Sequence, residues 1–137
     1  MKLLPTVCCA ALLAAAHASA ADLTIHIDDV KVASGKIEVA LYNSAGDFMK
    51  TAVGAGRTAA TREANTVVLK DLPAGEYAFA VFHDANSNDK LDKNMFGIPT
   101  EDYAFSNNAL GKMGPPSFEQ ARFTLPAAGA TVRVSLR

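Results

Sequence analysis

Apolar and polar positions alternate along most of the chain beyond residue 20. Leu23, Ile25 and Ile27 are interleaved with Thr24 and His26, Ile37, Val39 and Leu41 with Glu38 and Ala40, and Val67 and Leu69 with Val68. The same period of two runs through Tyr77, Phe79 and Val81, through Ala121, Phe123 and Leu125, and through Val132, Val134 and Leu136. Successive side chains of a strand point to opposite faces, so each set marks a strand with one buried face. Arg57–Arg62 reads as a further, edge strand. No stretch of helical period comparable to these follows the leader, and single helical turns are expected only at Gly46–Met49 or Ser117–Gln120. Ser34-Gly35, Leu72-Pro73-Ala74-Gly75 and Pro126-Ala127-Ala128-Gly129 supply the Gly and Pro that hairpin connections need. Short strands at this spacing predict a single all-β domain, an antiparallel β-sandwich of about seven strands. Its two sheets bury their apolar faces against each other. Tyr77, just after a Gly-containing turn, is placed to bond back to the backbone at a sheet corner while its ring points inward. That corner suits an immunoglobulin-like or prealbumin-like sandwich.

Residues 1–20 read as an address rather than as structure. Lys2 is a positive start, Leu3 to Ala16 is an apolar run broken by Pro5 and Thr6, and Ala18-Ser19-Ala20 is a small-residue cleavage site. This is the anatomy of a secretory signal peptide, too short in its apolar part to span the roughly 20 residues a bilayer demands. The expected division is a signal peptide at 1–20 and a β-sandwich domain at 21–137, in the periplasm of a bacterium or secreted. Cys8 and Cys9 leave with the leader. The mature chain then has no disulfide and no thiol nucleophile, so its core alone must hold it.

Charge narrows the field. Thirteen Lys and Arg stand against 14 Asp and Glu, a formal net charge of −1, which argues against a binder driven by phosphate contacts to nucleic acid. No second long apolar segment follows the leader, so no membrane span is expected in the mature chain.

The chemistry concentrates at the end of the most apolar strand, in His83-Asp84-Ala85-Asn86-Ser87-Asn88-Asp89-Lys90-Leu91-Asp92. Oxygen side chains recur at alternate positions: Asp84, Asn86, Asn88 and Asp92. A hard cation takes about six to eight oxygens, and a wound loop supplies them at this spacing. The Ca²⁺ reading uses Asp84, Asn86, Asn88 and Asp92, the backbone carbonyl of Lys90, and Glu101 (or Asp102) from the following segment. Two departures stand out. Asp89 occupies the position where a cation loop has Gly, though Asp tolerates the left-handed conformation. Met95 occupies the twelfth position, where a bidentate carboxylate belongs. A polar turn that satisfies its own hydrogen bonds explains the same residues.

His83 shares the inward parity of Tyr77, Phe79 and Val81. A transition-metal or general-base role is short of partners, since His26 is the one other imidazole beyond the leader. A partly buried His donating to a loop carbonyl or to Asp84 fits better. Between Lys93 and Pro116 no clear strand is visible. Such a long connection, rich in Met95, Phe96, Ile98, Tyr103 and Phe105, is expected to be ordered, and to plug the open end of the sandwich rather than line a ligand or partner surface, the alternative.

Taken together, several runs resemble a bacterial exported family catalogued as domain-of-unknown-function family 2141. They are Gly35-x-Ile37-x-Val39-Ala40-Leu41-Tyr42-Asn43, Gly75-x-Tyr77-Ala78, Asp84-x-Asn86-x-Asn88-x-Lys90-Leu91-Asp92, Phe96-Gly97-x-Pro99-x-Glu101-x-Tyr103-x-Phe105-Ser106-Asn107-Asn108 and Gly114-Pro115-Pro116-Ser117-Phe118. The resemblance covers nearly all of the mature chain and implies a small exported β-sandwich, with no activity attached. Asp89 stands where that pattern leads one to expect Gly.

The chain carries no nucleophile-elbow or metalloprotease motif. The leading expectation is a non-catalytic exported module with a Ca-type loop, binding an unidentified small molecule or an envelope protein. The alternative is a small periplasmic hydrolase using His83 with nearby carboxylates, and Ser106 or Ser117 as nucleophile.

Overall fold

The computed structural model describes residues 20–137. The segment 1–20, expected to be a signal peptide, therefore lies outside the described residues except for Ala20, which opens the first strand. Eight strands follow in order: β1 (Ala20–Asp28), β2 (Lys36–Tyr42), β3 (Gly54–Ala59), β4 (Asn65–Pro73), β5 (Gly75–Asp84), β6 (Tyr103–Phe105), β7 (Phe123–Leu125) and β8 (Ala130–Ser135). The smaller sheet has the order β4-β1-β8. The larger runs β3-β2-β5-β6, with β7 also pairing β5. The expected all-β sandwich is borne out.

The alternation decides the core. Leu23, Ile25 and Ile27 of β1, Ile37, Val39 and Leu41 of β2, Val67 and Leu69 of β4, and Tyr77, Phe79 and Val81 of β5 are all buried between the sheets. Phe79, at the centre, is fully buried and meets Phe123 edge-on at 5.7 Å. Full burial of such a side chain is worth about 2–3 kcal/mol. Tyr77 does both things expected of it: it is buried, and its hydroxyl donates to the Pro73 carbonyl at 2.6 Å.

Three features differ from the expectation. First, Ser34-Gly35, Pro73–Gly75 and Pro126–Gly129 are not hairpin turns, because each passes the chain from one sheet to the other. Period-two parity names the buried face of a strand but not its partner. Second, β8 lies parallel to β1, with Leu23 opposite Ala130 and Ile27 opposite Val134, while every other pairing is antiparallel. Third, the edge strand β3 begins at Gly54, earlier than Arg57. Its Gly-Ala-Gly start has no alternation to read, yet Gly56 is where a β-carbon would fall 2.6 Å from Val67 Cγ1.

The crossover 93–116 also departs from the sequence reading. It contains β6, and its aromatics do not plug the open end. Phe105 faces outward with Ala78 and Ala80, packed with Phe118 and Ala121 of the helix α1 (Phe118–Ala121) and with Phe48. Phe48 stands edge-on to Tyr42, Phe105 and Phe118 at 5.3, 6.3 and 5.9 Å. This second cluster covers the outer face of the larger sheet. The expected turn at Ser117–Gln120 is α1, one residue later, because Ser117 and Gln120 cap it reciprocally. Ser106, just after β6, bridges β5 to α1: its hydroxyl accepts from Phe79 N–H at 3.0 Å and donates to the Ala121 carbonyl at 2.6 Å.

Candidate functional site

The site forms where β5 runs out. Lys36 and Ile37 of β2 pair with Asp84 and His83, so the strand is clamped to its last residue. The turn before β2 packs across it. His83 is buried, and its Nε2 lies 2.7 Å from the Ser34 carbonyl. A carbonyl only accepts, so Nε2 carries a proton and donates. His83 N–H donates to the Asp102 carbonyl at 2.9 Å, tying the far end of the crossover to the same point. His83 is thus the buried, carbonyl-bonded His expected from its parity.

Asp84 is fully buried, and its carboxylate accepts from two backbone N–H groups, Asn88 at 3.1 Å and Asp89 at 2.8 Å. These bonds curl the loop back onto the strand end. Ser87 and Asp89 take positive φ values of 56° and 63° to make the curl. The loop position that lacks Gly is therefore left-handed all the same, as Asp permits. Asn86 Oδ1 accepts from Asn88 N–H and Asn88 Oδ1 from Lys90 N–H. Their amide nitrogens both donate to Asp92, at 2.6 and 2.7 Å. Asp92 N–H in turn donates to Glu101 Oε2 at 3.0 Å, and Thr100 donates through N–H and hydroxyl to the Asp92 carbonyl.

Of the six residues singled out as cation ligands, the structure brings Asn86, Asn88, Asp92 and Glu101 into one hydrogen-bonded chain. Asp84 joins this chain through Asn88 N–H and links it to Asp89, and the Lys90 side chain is exposed. Asp102 is not a fourth carboxylate here, because it pairs with Lys31 at 3.1 Å. Carboxylate oxygens of Asp84, Glu38 and Asp89 lie within 4.8 Å of one another. Lys36 already serves two of them, Glu38 and Asp89. Its ammonium bonds to Asp89 and stands 3.4 Å from Glu38 Oε1, an oxygen without an aligned hydrogen bond. Arg57 pairs with the other Glu38 oxygen at 3.6 Å. Sequence reasoning missed Glu38 and Lys36. Their nearness to Asp84 comes only from the β2–β5 register, although a Lys-x-Glu pair on the polar face of a strand was a visible signal.

These contacts set the pH response. The Asn88 and then the Asn86 amide hold the Asp92 carboxyl below the ordinary 3.8, and Lys36 does the same for Asp89. The bond to Asp89 raises the Lys36 ammonium above 10.5. Carboxylates with lowered folded values contribute stability above their unfolded value and lose it as pH falls through the folded one. A cation with a raised value contributes below its unfolded value and loses it as pH rises past the folded one. The melting temperature should therefore be level from about pH 5 to 9 and fall on both sides. A scan of melting temperature against pH checks this, and a fall beginning near neutrality would contradict it.

The serines of the hydrolase reading are engaged in structure, Ser106 with Phe79 and Ala121 and Ser117 with Gln120. Among the described residues no helix is long and apolar enough to cross a membrane.

Fold and site together define an all-β sandwich that carries a polar, self-bonded loop at the end of one central strand. The chain belongs to the bacterial family described as an uncharacterized protein conserved in bacteria (DUF2141), whose family model matches residues 25–133. No curated protein and no solved structure matches it.

Proposed function

We propose that the chain is an exported, non-catalytic β-sandwich module whose 84–92 loop takes up Ca²⁺. Its role is to hold the 93–102 crossover in one conformation for a small-molecule or envelope-protein partner. The observation that carries this reading is the winding of the loop on Asp84. Two N–H bonds to that buried carboxylate set Asn86, Asn88 and Asp92 side by side and bring Glu101 to them from across the crossover. Oxygens of this kind suit a hard cation. Loading the loop requires the Asn86 and Asn88 amides to turn their oxygens toward Asp92 in place of their nitrogens. The leader composition of residues 1–20 supports export.

The test is thermal unfolding of the purified protein with excess Ca²⁺ and with chelator. At ion concentrations near 100 times Kd, linkage adds about 2.7 kcal/mol. For a domain of this size that is roughly 10 °C in melting temperature. An identical midpoint in millimolar Ca²⁺ and in chelator removes the cation from the account.

A further inference from the structure

The first strand begins inside the expected cleavage site. Ala18-Ser19-Ala20 ends the leader, so the bond to be cut joins Ala20 to Ala21. Both residues belong to β1. Ala20 pairs with Pro73 and Ala21 with Leu72, and Ala21 is buried in the main core at 4% exposure. Asp22 fastens the next step. Its Oδ1 accepts from Asp71 N–H at 3.2 Å, where Asp71 takes a φ of 57° and the register of β1 against β4 shifts between Ala21 and Leu23. The other rim is closed as well. A β-carbon on Gly129 would fall 2.7 Å from the Asp22 carbonyl oxygen, so the turn before β8 lies directly against it. From Leu23 onward that rim is paired with β8.

A peptidase takes its substrate as an extended strand, adding it to an edge of its own and seating side chains in pockets. It needs a free rim and access to the residues on both sides of the bond. In the folded chain β4 holds one rim, the Gly129 turn presses on the other at Asp22, and Ala21 lies in the core. Cutting there requires the start of β1 to open first, and a protected bond is cut only as often as its segment opens.

We propose that the leader is removed only while β1 is undocked: once Ala20–Asp22 join the sheet, the Ala20–Ala21 bond is closed to the signal peptidase, so folding and processing compete for the same residues. The cut itself is a hydrolysis. Water adds across the Ala20–Ala21 amide and leaves a carboxyl on Ala20 and an amine on Ala21. The chain must therefore reach the peptidase unfolded, and a precursor that folds early keeps its leader. This inference rests on the proposed export.

The test is cleavage of the full chain, residues 1–137, by purified bacterial signal peptidase, followed by intact mass. Precursor diluted from urea straight into the peptidase should be cut between Ala20 and Ala21. Precursor allowed to fold beforehand should be cut more slowly by about tenfold or more. A Gly-Ser-Gly-Ser spacer inserted after Ala20 carries the bond clear of β1 and keeps Ala18-Ser19-Ala20 in front of it. It should restore rapid cutting of the folded precursor. Equal rates for the folded and the freshly diluted parent overturn the proposal and leave export standing. So does a folded spacer variant cut as slowly as the folded parent, or a cut at another bond of the leader. Failure to cut even the freshly diluted precursor sinks the export reading and this inference with it.

Discussion

Gly35→Ala is expected to cost more than about 3 kcal/mol, a large part of the roughly 5–15 kcal/mol that holds a domain of ordinary stability. Gly35 has φ of +68°, where a β-carbon is already strained. A β-carbon there would also stand 2.0 Å from the Asp84 carbonyl oxygen and 2.7 Å from that of Ala85. Both obstacles are backbone, so neither can rotate away. The turn must instead lift from β5, breaking the bond from His83 to Ser34 and the one from Ala60 N–H to the Gly35 carbonyl. Denaturant unfolding measures the loss. Gly46→Ala is the control, since its β-carbon meets nothing within 4 Å and should change stability by under about 0.5 kcal/mol. A Gly35→Ala protein as stable as this control would show that the turn does not press on the strand end.

Asp84→Ala should cost about 3 kcal/mol. The change strips the acceptor from two loop N–H groups, and hydrogen bonds to a charged group are worth about 1.5–3 kcal/mol each. Relief of a buried charge crowded by Glu38 and Asp89 offsets part of that. Asp84→Asn keeps one acceptor and should lose roughly half as much. Hydrogen exchange should quicken first at the amides of Asn88 and Asp89 and then at Asp92, while Phe79 and Val81 stay protected. A variant that loses under about 1 kcal/mol, with loop exchange unchanged, would show that the loop is wound by something other than this carboxylate.

The inward faces of β1, β2, β4 and β5 were legible because burial of one sheet face imposes a period of two on the residues themselves. Sheet membership was not. Nothing in Leu23-x-Ile25-x-Ile27 says that its neighbours are β4 and a parallel β8, since pairing follows from where connections land in space. The strand β6 escaped for a related reason. It has three residues, and its aromatics Tyr103 and Phe105 face away from the main core toward Phe48 and Phe118, a second apolar cluster that inverts the pattern. The strand expected over residues 121–125 is β7 from Phe123 only, because Ala121 closes the capped turn of α1. In the candidate site, alternate oxygens along one loop could be read directly, down to the left-handed Asp89. Glu38 and Lys36 could not. They reach Asp84 and Asp89 through a strand register that local spacing does not encode.

The parallel seating of β8 against β1 has a consequence for how the protein comes into being. β4 covers one rim of β1, and on the other rim residues 23–28 find their neighbour only among residues 130–135, almost the whole described length away. A nascent chain therefore carries β1 with one rim bare until the end arrives. Closure of so distant a pair is slow, and exposed rims invite other chains. The protein should lean on a chaperone during this interval, and it should be most prone to aggregate when synthesis stops short of residue 130.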